Sequence, residues 1–199
     1  RVAYLNFADG RRFKAQKIER LLGLDARTGP LRLLEIGTGS GGIAHYFGTH
    51  PSGRFKVTAL DVVDNRQVAE GYEYVNVHDT HLHFADACFD VVLSNHVVEH
   101  VGPPAEQLLH LQELRRVLRP DGIGYLAVPN RWMLVEPHYR LAFLSWWPQA
   151  WRTPYLRMMG KGEEYDCLPL SAPQARALLA RAGFGFEQDG SGTLTNNFG

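Results

Sequence analysis

The residues of this chain with the clearest chemical potential lie in segment 35–42, where four glycines follow Glu35. A short apolar run precedes this segment and an amphipathic run follows it, so the pattern predicts a strand, a tight turn and a helix. Glycine suits such a turn because it adopts positive φ at little cost and lets a ligand approach bare backbone N–H groups at the start of a helix. The segment therefore predicts the binding of a nucleotide-type cofactor.

Two cofactor classes are compatible with these glycines. Gly37, Gly39 and Gly42 satisfy G-x-G-x-x-G, and Asp61 ends the next apolar run, close to the spacing of about 20 residues expected of a ribose-binding acid in an NAD site. Glu35 stands two residues before the first glycine and completes E-x-G-x-G-x-G. A carboxylate there attracts a cationic cofactor and repels the pyrophosphate of NAD. It therefore favours a cationic cofactor over NAD. A strand-end glutamate that faces solvent is the alternative interpretation.

The E-x-G-x-G-x-G pattern resembles motif I of the class I S-adenosylmethionine (SAM) methyltransferases. Residues 84–101 resemble that family's F-x-D-x-x-F-D-x-V-x-x-x-x-x-x-E-H block, and residues 114–126 resemble its L-x-x-x-L-x-P-x-G block. The likeness is strongest to the small-molecule branch called methyltransferase type 11. With Asp61 it covers about residues 31–130, and ordered motifs at family spacing are far more specific than any one of them.

The resemblance implies SAM as the cofactor and S-adenosylhomocysteine as its product. It implies that Asp61 accepts hydrogen bonds from both ribose hydroxyls and that the loop before the fourth strand contacts the adenine, with His78 and Asp79 both open as the contact. The full set of implied cofactor-binding residues is Glu35, Gly37, Thr38, Gly39, Gly41, Asp61, Val62, Asp79, Thr80 and Asn95.

Transfer of a methyl group from a sulfonium needs mainly an aligned nucleophile and exclusion of water. A hydroxyl acceptor also needs a base, and histidine suits this role because it titrates near neutral pH. His96 and His138 are the candidate catalytic bases, and a packed or surface histidine is the alternative for each. Glu99 and His100 are expected to be structural, and Asp90 is expected to cap a turn because it begins its strand.

A metal site is conceivable at three neighbouring histidines, His78, His81 and His83. Their spacing fits no zinc pattern, and no metal is predicted.

The net charge is zero, with 21 basic and 21 acidic residues, which argues against nucleic acid as a partner. Two cysteines predict no disulfide framework and favour the cytoplasm. No apolar run is long enough to span a membrane. The chain lacks an initiator methionine, so a fragment of a longer protein is expected, which leaves open whether residues beyond 199 add a further strand.

The sequence pattern around the candidate site residues alternates between strands and helices. This alternation predicts an α/β fold with a Rossmann-like, doubly wound and mostly parallel sheet. Predicted strands are 31–36, 55–61, 72–77, 89–95, 123–128 and 184–187; predicted helices are 11–23, 43–47, 64–71, 103–118 and 171–183. We expect one domain over 1–199, with a SAM-binding core at 31–130 and a C-terminal helix and strand within 171–199.

An aromatic-rich helical insertion is predicted at 131–165, after the fifth strand. It contains all four tryptophans and all three methionines of the chain. Such side chains suit an apolar or aromatic acceptor, so the insertion is predicted to be the acceptor site or its lid. A small cap with an ordinary core, or a surface resting on a membrane or a second subunit, are the alternatives.

The predicted function is SAM-dependent methylation of a small molecule, by O-methylation of an apolar or aromatic metabolite, lipid or glycan precursor. The alternatives are an NAD(P)-dependent oxidoreductase and a non-catalytic SAM-binding or scaffold domain.

Overall fold

The computed structural model describes residues 7–129, 135–136, 141–165, 167–185, 187–188 and 194–195. The α-helices of these ranges are α1 (Phe7–Leu21), α2 (Gly42–Gly48), α3 (Pro104–Val117), α4 (Gln149–Met158) and α5 (Ala172–Arg181). The strands are β1 (Leu31–Ile36), β2 (Phe55–Asp61), β3 (Glu73–Asn76), β4 (Phe89–Asn95), β5 (Leu118–Ala127), β6 (Val135–Glu136), β7 (Leu141–Ala142), β8 (Glu187–Gln188) and β9 (Leu194–Thr195). Short 3₁₀ helices span Leu24–Ala26, Val98–His100 and Leu144–Trp146.

Seven strands form one sheet in the order β3-β2-β1-β4-β5-β9-β8. Strands β1 to β5 are parallel, whereas β9 is antiparallel to both of its neighbours. The chain winds outwards from β1 to β3 and then returns to place β4 on the other side of β1. Ligands of open α/β sheets bind at the carboxyl ends of the strands that flank such a reversal. The arrangement confirms the predicted Rossmann-like, doubly wound sheet.

Both faces of the sheet are covered, which is why β1 and β4 are nearly continuous apolar runs. Successive side chains of a strand point to opposite faces. Leu33 packs in the core that α1 and α2 close, whereas Leu34 packs in the core that α3 and α5 close. Both leucines are fully buried. Helix α1 begins earlier than predicted and covers the sheet beside the glycine segment.

One predicted helix is wrong. Residues 64–71 form no helix. The backbone N–H groups of Gln67 and Val68 donate instead to the carbonyl of Ser40, at 3.0 and 3.3 Å. The segment has too few apolar side chains to bury a helical face, so its backbone pairs with the glycine segment.

Two strand boundaries also differ from the prediction. The fifth strand was predicted to begin at Ile123, but β5 begins at Leu118, because Leu118 pairs with Phe89 before a register shift. Residues 119–122 therefore belong to an irregular part of the strand. The last predicted strand, 184–187, overlaps the observed β8 only at Glu187, and β9 pairs with β8 as a hairpin. A capping box begins α5, since Ser171 N–H donates to Gln174 Oε1 at 2.9 Å.

The described part of the insertion has a small core of its own. Leu141, Leu144 and Leu156 pack there with Tyr165 and Cys167. It contains the helix α4, as predicted, and also the antiparallel pair β6-β7. Immediately after it, Leu168 N–H donates to the carbonyl of Glu99 at 2.7 Å, which ties this segment to the 3₁₀ helix Val98–His100. Several large apolar side chains remain exposed: Phe143, Trp146, Trp147, Trp151, Met158 and Met159.

The contact between Gly48 and Gly71 gives a stability prediction. A Cβ on Gly48 would collide with the backbone carbonyl of Gly71, whereas a Cβ on Gly10 in α1 would meet nothing within 4 Å. We expect Gly48→Ala to lower the free energy of unfolding by about 1–3 kcal/mol, because the backbones must move apart. The control Gly10→Ala should raise it by about 0.5–1 kcal/mol. Urea unfolding measures both, and equal effects would contradict the predicted close approach.

Candidate functional site

The glycine segment forms a turn at the carboxyl end of β1. Gly37 and Gly39 have φ of 71° and 52°. A Cβ on Gly37 would collide with the Val97 side chain, whereas a Cβ on Gly39 would meet nothing within 4 Å. The turn is held against β2 because the N–H groups of Gly37 and Thr38 donate to the carbonyl of Leu60, at 2.9 and 3.1 Å. The backbone at Gly39 is thus open to a ligand.

Asp61 fixes this turn from the end of β2. Its Oδ2 accepts the N–H of Gly39 at 2.8 Å, and its Oδ1 accepts the N–H of Val62 at 2.8 Å. Oδ1 also accepts the N–H of Val63 in a longer contact of 3.4 Å. A carboxylate oxygen can accept two hydrogen bonds, so Oδ2 has one acceptor site left and Oδ1 has one that is only weakly used. Asp61 therefore retains acceptor capacity for the two hydroxyls of a ribose while it holds the turn.

Glu35 does not lie in the wall of the cleft. Its side chain is only 2% exposed and accepts a hydrogen bond from Thr38 Oγ1 at 2.8 Å. Burial raises the pKa of Glu35 to about 8, while the Thr38 hydrogen bond and Arg11 oppose that rise. The carboxyl lies beneath the turn and acts on the cleft through Thr38.

A cleft of about 360 Å³ lies between the turn and the end of β4. Its lining residues are Arg11, Lys14, Gly37, Thr38, Gly39, Asn95 and His96. Most of these were predicted from the sequence, but the two basic residues of α1 were not. Their spacing of three places them on one helical face just before β1, which is the signal that could have found them.

The two basic residues give the cleft a cationic wall. Burial lowers the pKa of Lys14, and so do the neighbouring Arg11 and Lys17, whereas Glu99 raises it. An anionic group that enters the cleft would meet this wall, because opposite charges attract more strongly where water is partly excluded.

His96 reaches the cleft through an unusual backbone conformation. Its φ is 57°, in the left-handed region that few residues other than glycine adopt. Its N–H donates to the carbonyl of Ala127 at 2.8 Å, which anchors it beside β5. Its Nδ1 lies 3.4 Å from Glu99 Oε1. Beside it, Asn95 Oδ1 is buried and has no hydrogen-bond partner among the described residues.

Several predicted site residues lie elsewhere. Gly41 packs against Tyr72 and the carbonyl of Val68. Asp79 and Thr80 are not among the residues that line the cleft, and Asp79 accepts the N–H of His81 at 2.9 Å.

Their loop nevertheless begins beside the ribose-binding candidate, since Val77 N–H donates to the carbonyl of Asp61 at 3.0 Å. The side chain of Val62 is exposed next to the same aspartate. The other predicted base, His138, falls outside the described residues.

Asp90 lies at the amino edge of the sheet, but its carboxylate links strands instead of capping a turn as predicted. Its carboxylate accepts the N–H of Arg32 and a guanidinium hydrogen of Arg119, both at 2.8 Å. These contacts join the starts of β1 and β4 to β5, far along the strand from the cleft.

The described residues gather no group of three or more histidine, cysteine or acidic side chains that could hold a metal ion. Within the same ranges, each helix is too short or too polar to cross a membrane.

The fold and the cleft together define a cofactor-binding α/β domain. The bound group must suit an open glycine backbone, a carboxylate with spare acceptors, buried amide and carboxyl oxygens, and two nearby cations. SAM fits, because it offers two ribose hydroxyls, an α-ammonium and an α-carboxylate. The unpartnered Asn95 Oδ1 further requires a donor, which a hydroxyl or ammonium group supplies.

Comparison with known proteins gives one consistent family. A family described as "Methyltransferase domain" matches residues 34–126. The chain is 34% identical over 103 residues to "Probable methyltransferase ltbC" of Aspergillus luteorubrus, covering 52% of this chain and 34% of that protein. It is 30% identical over 177 residues to "Thiol S-methyltransferase TMT1B" of Homo sapiens, covering 81% of this chain and 66% of that protein. The chain thus spans only part of the length of both relatives.

A solved structure with the same fold is a SAM-dependent methyltransferase from Aquifex aeolicus. It has a TM-score of 0.63 at 17% identity, with 96% of this chain and 92% of that chain covered. The chain belongs to the class I SAM-dependent methyltransferase family, and its cofactor is SAM. This membership decides between the two cofactor classes that the glycine pattern allows.

The buried carboxyl of Glu35 gives a pH prediction. Its pKa of about 8 in the folded protein lies above the ordinary 4.5, so folding takes up a proton between these values. The contribution of the Glu35 carboxyl to the free energy of unfolding is fully present below about pH 4.5 and is lost as the pH rises through about 8. We expect Glu35→Gln to gain stability relative to the starting protein as the pH rises across that window.

Urea unfolding without cofactor, repeated between pH 5 and 9, measures this effect. The exposed Glu73→Gln is the control and should show no such trend. If the Glu35→Gln and starting curves run parallel with pH, the buried carboxyl is ionised throughout and the prediction is wrong.

Proposed function

We propose that this protein transfers the methyl group of SAM to a small-molecule acceptor whose hydroxyl or thiol must lose a proton. The observation that carries the proposal is the shared cleft: the turn at Gly37–Gly39 and the imidazole of His96 line the same cavity, from opposite sides of the point where the sheet reverses. Cofactor and acceptor can therefore meet beside a group that accepts protons.

The chain's own residues would divide the work as follows. Asp61 and the backbone at Gly39 would hold the ribose and the adjoining part of the cofactor, and Arg11 or Lys14 would pair with its carboxylate. When bound, SAM supplies a methyl group activated by the sulfonium. The protein's contribution is to align the acceptor and exclude water, which supplies most of the acceleration in such a displacement.

His96 would take the acceptor proton. An imidazole can act as a general base near neutral pH, and the position of His96 in the cleft wall meets the geometric requirement. His138 remains a second candidate from the sequence.

Two acceptor classes are proposed. O-methylation follows from the presence of a candidate base. S-methylation is supported by the relative named thiol S-methyltransferase, which aligns over 81% of this chain. Both acceptors are protic, so one experiment with a matched phenol and thiophenol pair distinguishes them.

The insertion at 131–165 is proposed as the acceptor side of the site. Its described part presents a groove of about 370 Å³ lined by Phe143, Trp146, Trp147, Pro148 and Tyr155. Aromatic surfaces of this kind suit an apolar or aromatic molecule. Contact of this surface with a membrane or a second subunit is the alternative proposal.

The remaining parts of the proposal concern the whole protein. One methyltransferase domain over 1–199 is proposed, with no nucleic-acid partner because the net charge is zero. A cytoplasmic location is proposed because Cys88 and Cys167 form no disulfide.

Asp61 provides the cofactor-binding prediction. Asp61→Ala should weaken SAM binding about tenfold to a hundredfold, because two ribose hydroxyls lose an acceptor worth about 1.5–3 kcal/mol. Calorimetric titration with SAM, S-adenosylhomocysteine and NAD measures it. The control is Asp64→Ala, which removes an exposed carboxylate paired with Arg66. Unchanged affinity would exclude Asp61 from the cofactor site.

His96 provides the catalytic prediction. His96→Asn should lower turnover of phenol by about 10²-fold or more, while turnover of thiophenol, which ionises far more readily, should fall much less. Asparagine is chosen because it tolerates positive φ. Mass spectrometry of the methylated products measures both reactions, and His83→Asn is an exposed control. Equal loss on both acceptors would show a structural role, and binding of SAM with no turnover of either would favour the scaffold alternative.

A further inference from the structure

Glu99 places a carboxylate inside the protein, directly beside the cleft. It lies in the 3₁₀ helix Val98–His100 and is 0% exposed. Neither carboxylate oxygen has a hydrogen-bond partner among the described residues. A buried polar group without a partner is rare in a folded protein, and an isolated buried charge is more costly still. The carboxylate therefore needs a partner that carries a proton or a positive charge.

The structural contact made by this residue does not use the carboxylate. The backbone carbonyl of Glu99 accepts the N–H of Leu168, which ties down the segment after the insertion. Any side chain would leave that contact intact. The carboxylate is thus unexplained by the bracing role that the sequence predicts for the Glu99-His100 pair.

Two candidate partners approach the carboxylate. Nδ1 of His96 lies 3.4 Å from Oε1 of Glu99, and Glu99 also acts electrostatically on Lys14 across the cleft. Lys14 is only partly buried, so water can solvate its ammonium. His96 Nδ1, by contrast, is buried and has no hydrogen-bond partner among the described residues. Two buried and unpartnered atoms 3.4 Å apart form the natural pair.

The His96 ring has one buried and one accessible edge. Its side chain is 38% exposed although Nδ1 has almost no accessible surface. His96 lines the cleft, so the exposed part of the ring is available to a molecule that enters it.

We propose that Glu99 is a positioning residue for His96, a role that rests on the proposed function. The Glu99 carboxylate accepts the Nδ1–H of the neutral ring, which leaves the Nε2 lone pair directed into the cleft. When the acceptor O–H or S–H bond breaks, its proton moves to Nε2 and its electron pair stays on the oxygen or sulfur as the nucleophile. The ring then carries one positive charge beside the negative charge of Glu99, which stabilises it.

Other titratable or charged groups lie on the elements next to this pair and must be considered in any pH profile. They are Arg11 and Lys14 of α1, His100 of the 3₁₀ helix, the buried carboxyl of Glu35 in β1, and the thiol of Cys167 after the insertion. The pair is therefore tested by the protonation of one identified nitrogen rather than by a pH profile alone.

The first test is nitrogen NMR of the 22.4 kDa chain with labelled histidine, in which the His96 signal is identified by its loss in His96→Asn. We expect neutral His96 to be the Nδ1–H form. In Glu99→Gln the negative charge is lost and the amide can donate to Nδ1 as well as accept from it, so we expect the share of the Nε2–H form to rise. Glu106→Gln, a carboxylate on the following helix, should leave the Nδ1–H form unchanged. An Nε2–H form in the unmodified protein would overturn the proposal without any variant.

The second test separates positioning from folding. Glu99→Gln should lower kcat for phenol about tenfold or more, since general-base catalysis contributes about 10²–10⁴, and should leave SAM affinity and thiophenol turnover within about twofold. Equal losses on phenol and thiophenol would overturn the positioning role. If the unmodified protein methylates neither acceptor, the proposed function fails, while the NMR result still decides whether Glu99 orients His96.

Discussion

The hydrogen bond from Gly39 N–H to Asp61 is the contact on which the cofactor site depends. It joins the turn after β1 to the end of β2 at 2.8 Å, so the glycine turn and the carboxylate that we propose as the ribose contact form one rigid unit. A carboxylate is required because one side chain must accept the N–H groups of Gly39, Val62 and Val63 and still retain acceptors for a ligand. The side chain of Val97, the carbonyl of Leu60 and the backbone of Ser40 then fit around a turn whose shape is already set.

Charged and titratable groups are arranged in layers around this turn. Cations of α1 face the open cleft, whereas the acids Glu35 and Glu99 lie beneath it, nearly or fully buried. An anionic end of a ligand meets the outer layer, and the inner layer acts through the residues above it: Glu35 through Thr38 and, in our proposal, Glu99 through His96. Buried acids beneath an open cleft are costly to folding, and such cost is commonly found at functional sites.

The insertion has a different physical character from the core. Its own apolar core is small, and it is attached beside the site through the bond between Leu168 and Glu99. Arg152 is buried within it and donates to the carbonyls of Trp147 and Ser145. A surface that rests on a membrane requires exposed cations, and this arginine is not one of them. The exposed tryptophans stack on one another instead of filling the core, which leaves them available to an acceptor.

The sequence by itself determined the class of fold, the cofactor turn and Asp61, because glycine spacing and strand-end acids are local constraints that the backbone must obey wherever they occur. It also determined most of β1, β2 and β4, whose apolar runs require burial on both faces. The path of residues 64–71 and the start of β5 depended on distant partners, Ser40 and Phe89, which no local pattern records. In the same way, only the tertiary structure brought Arg11 and Lys14 to the cleft and placed Glu99 against His96, because packing of separate elements decides which side chains share a cavity.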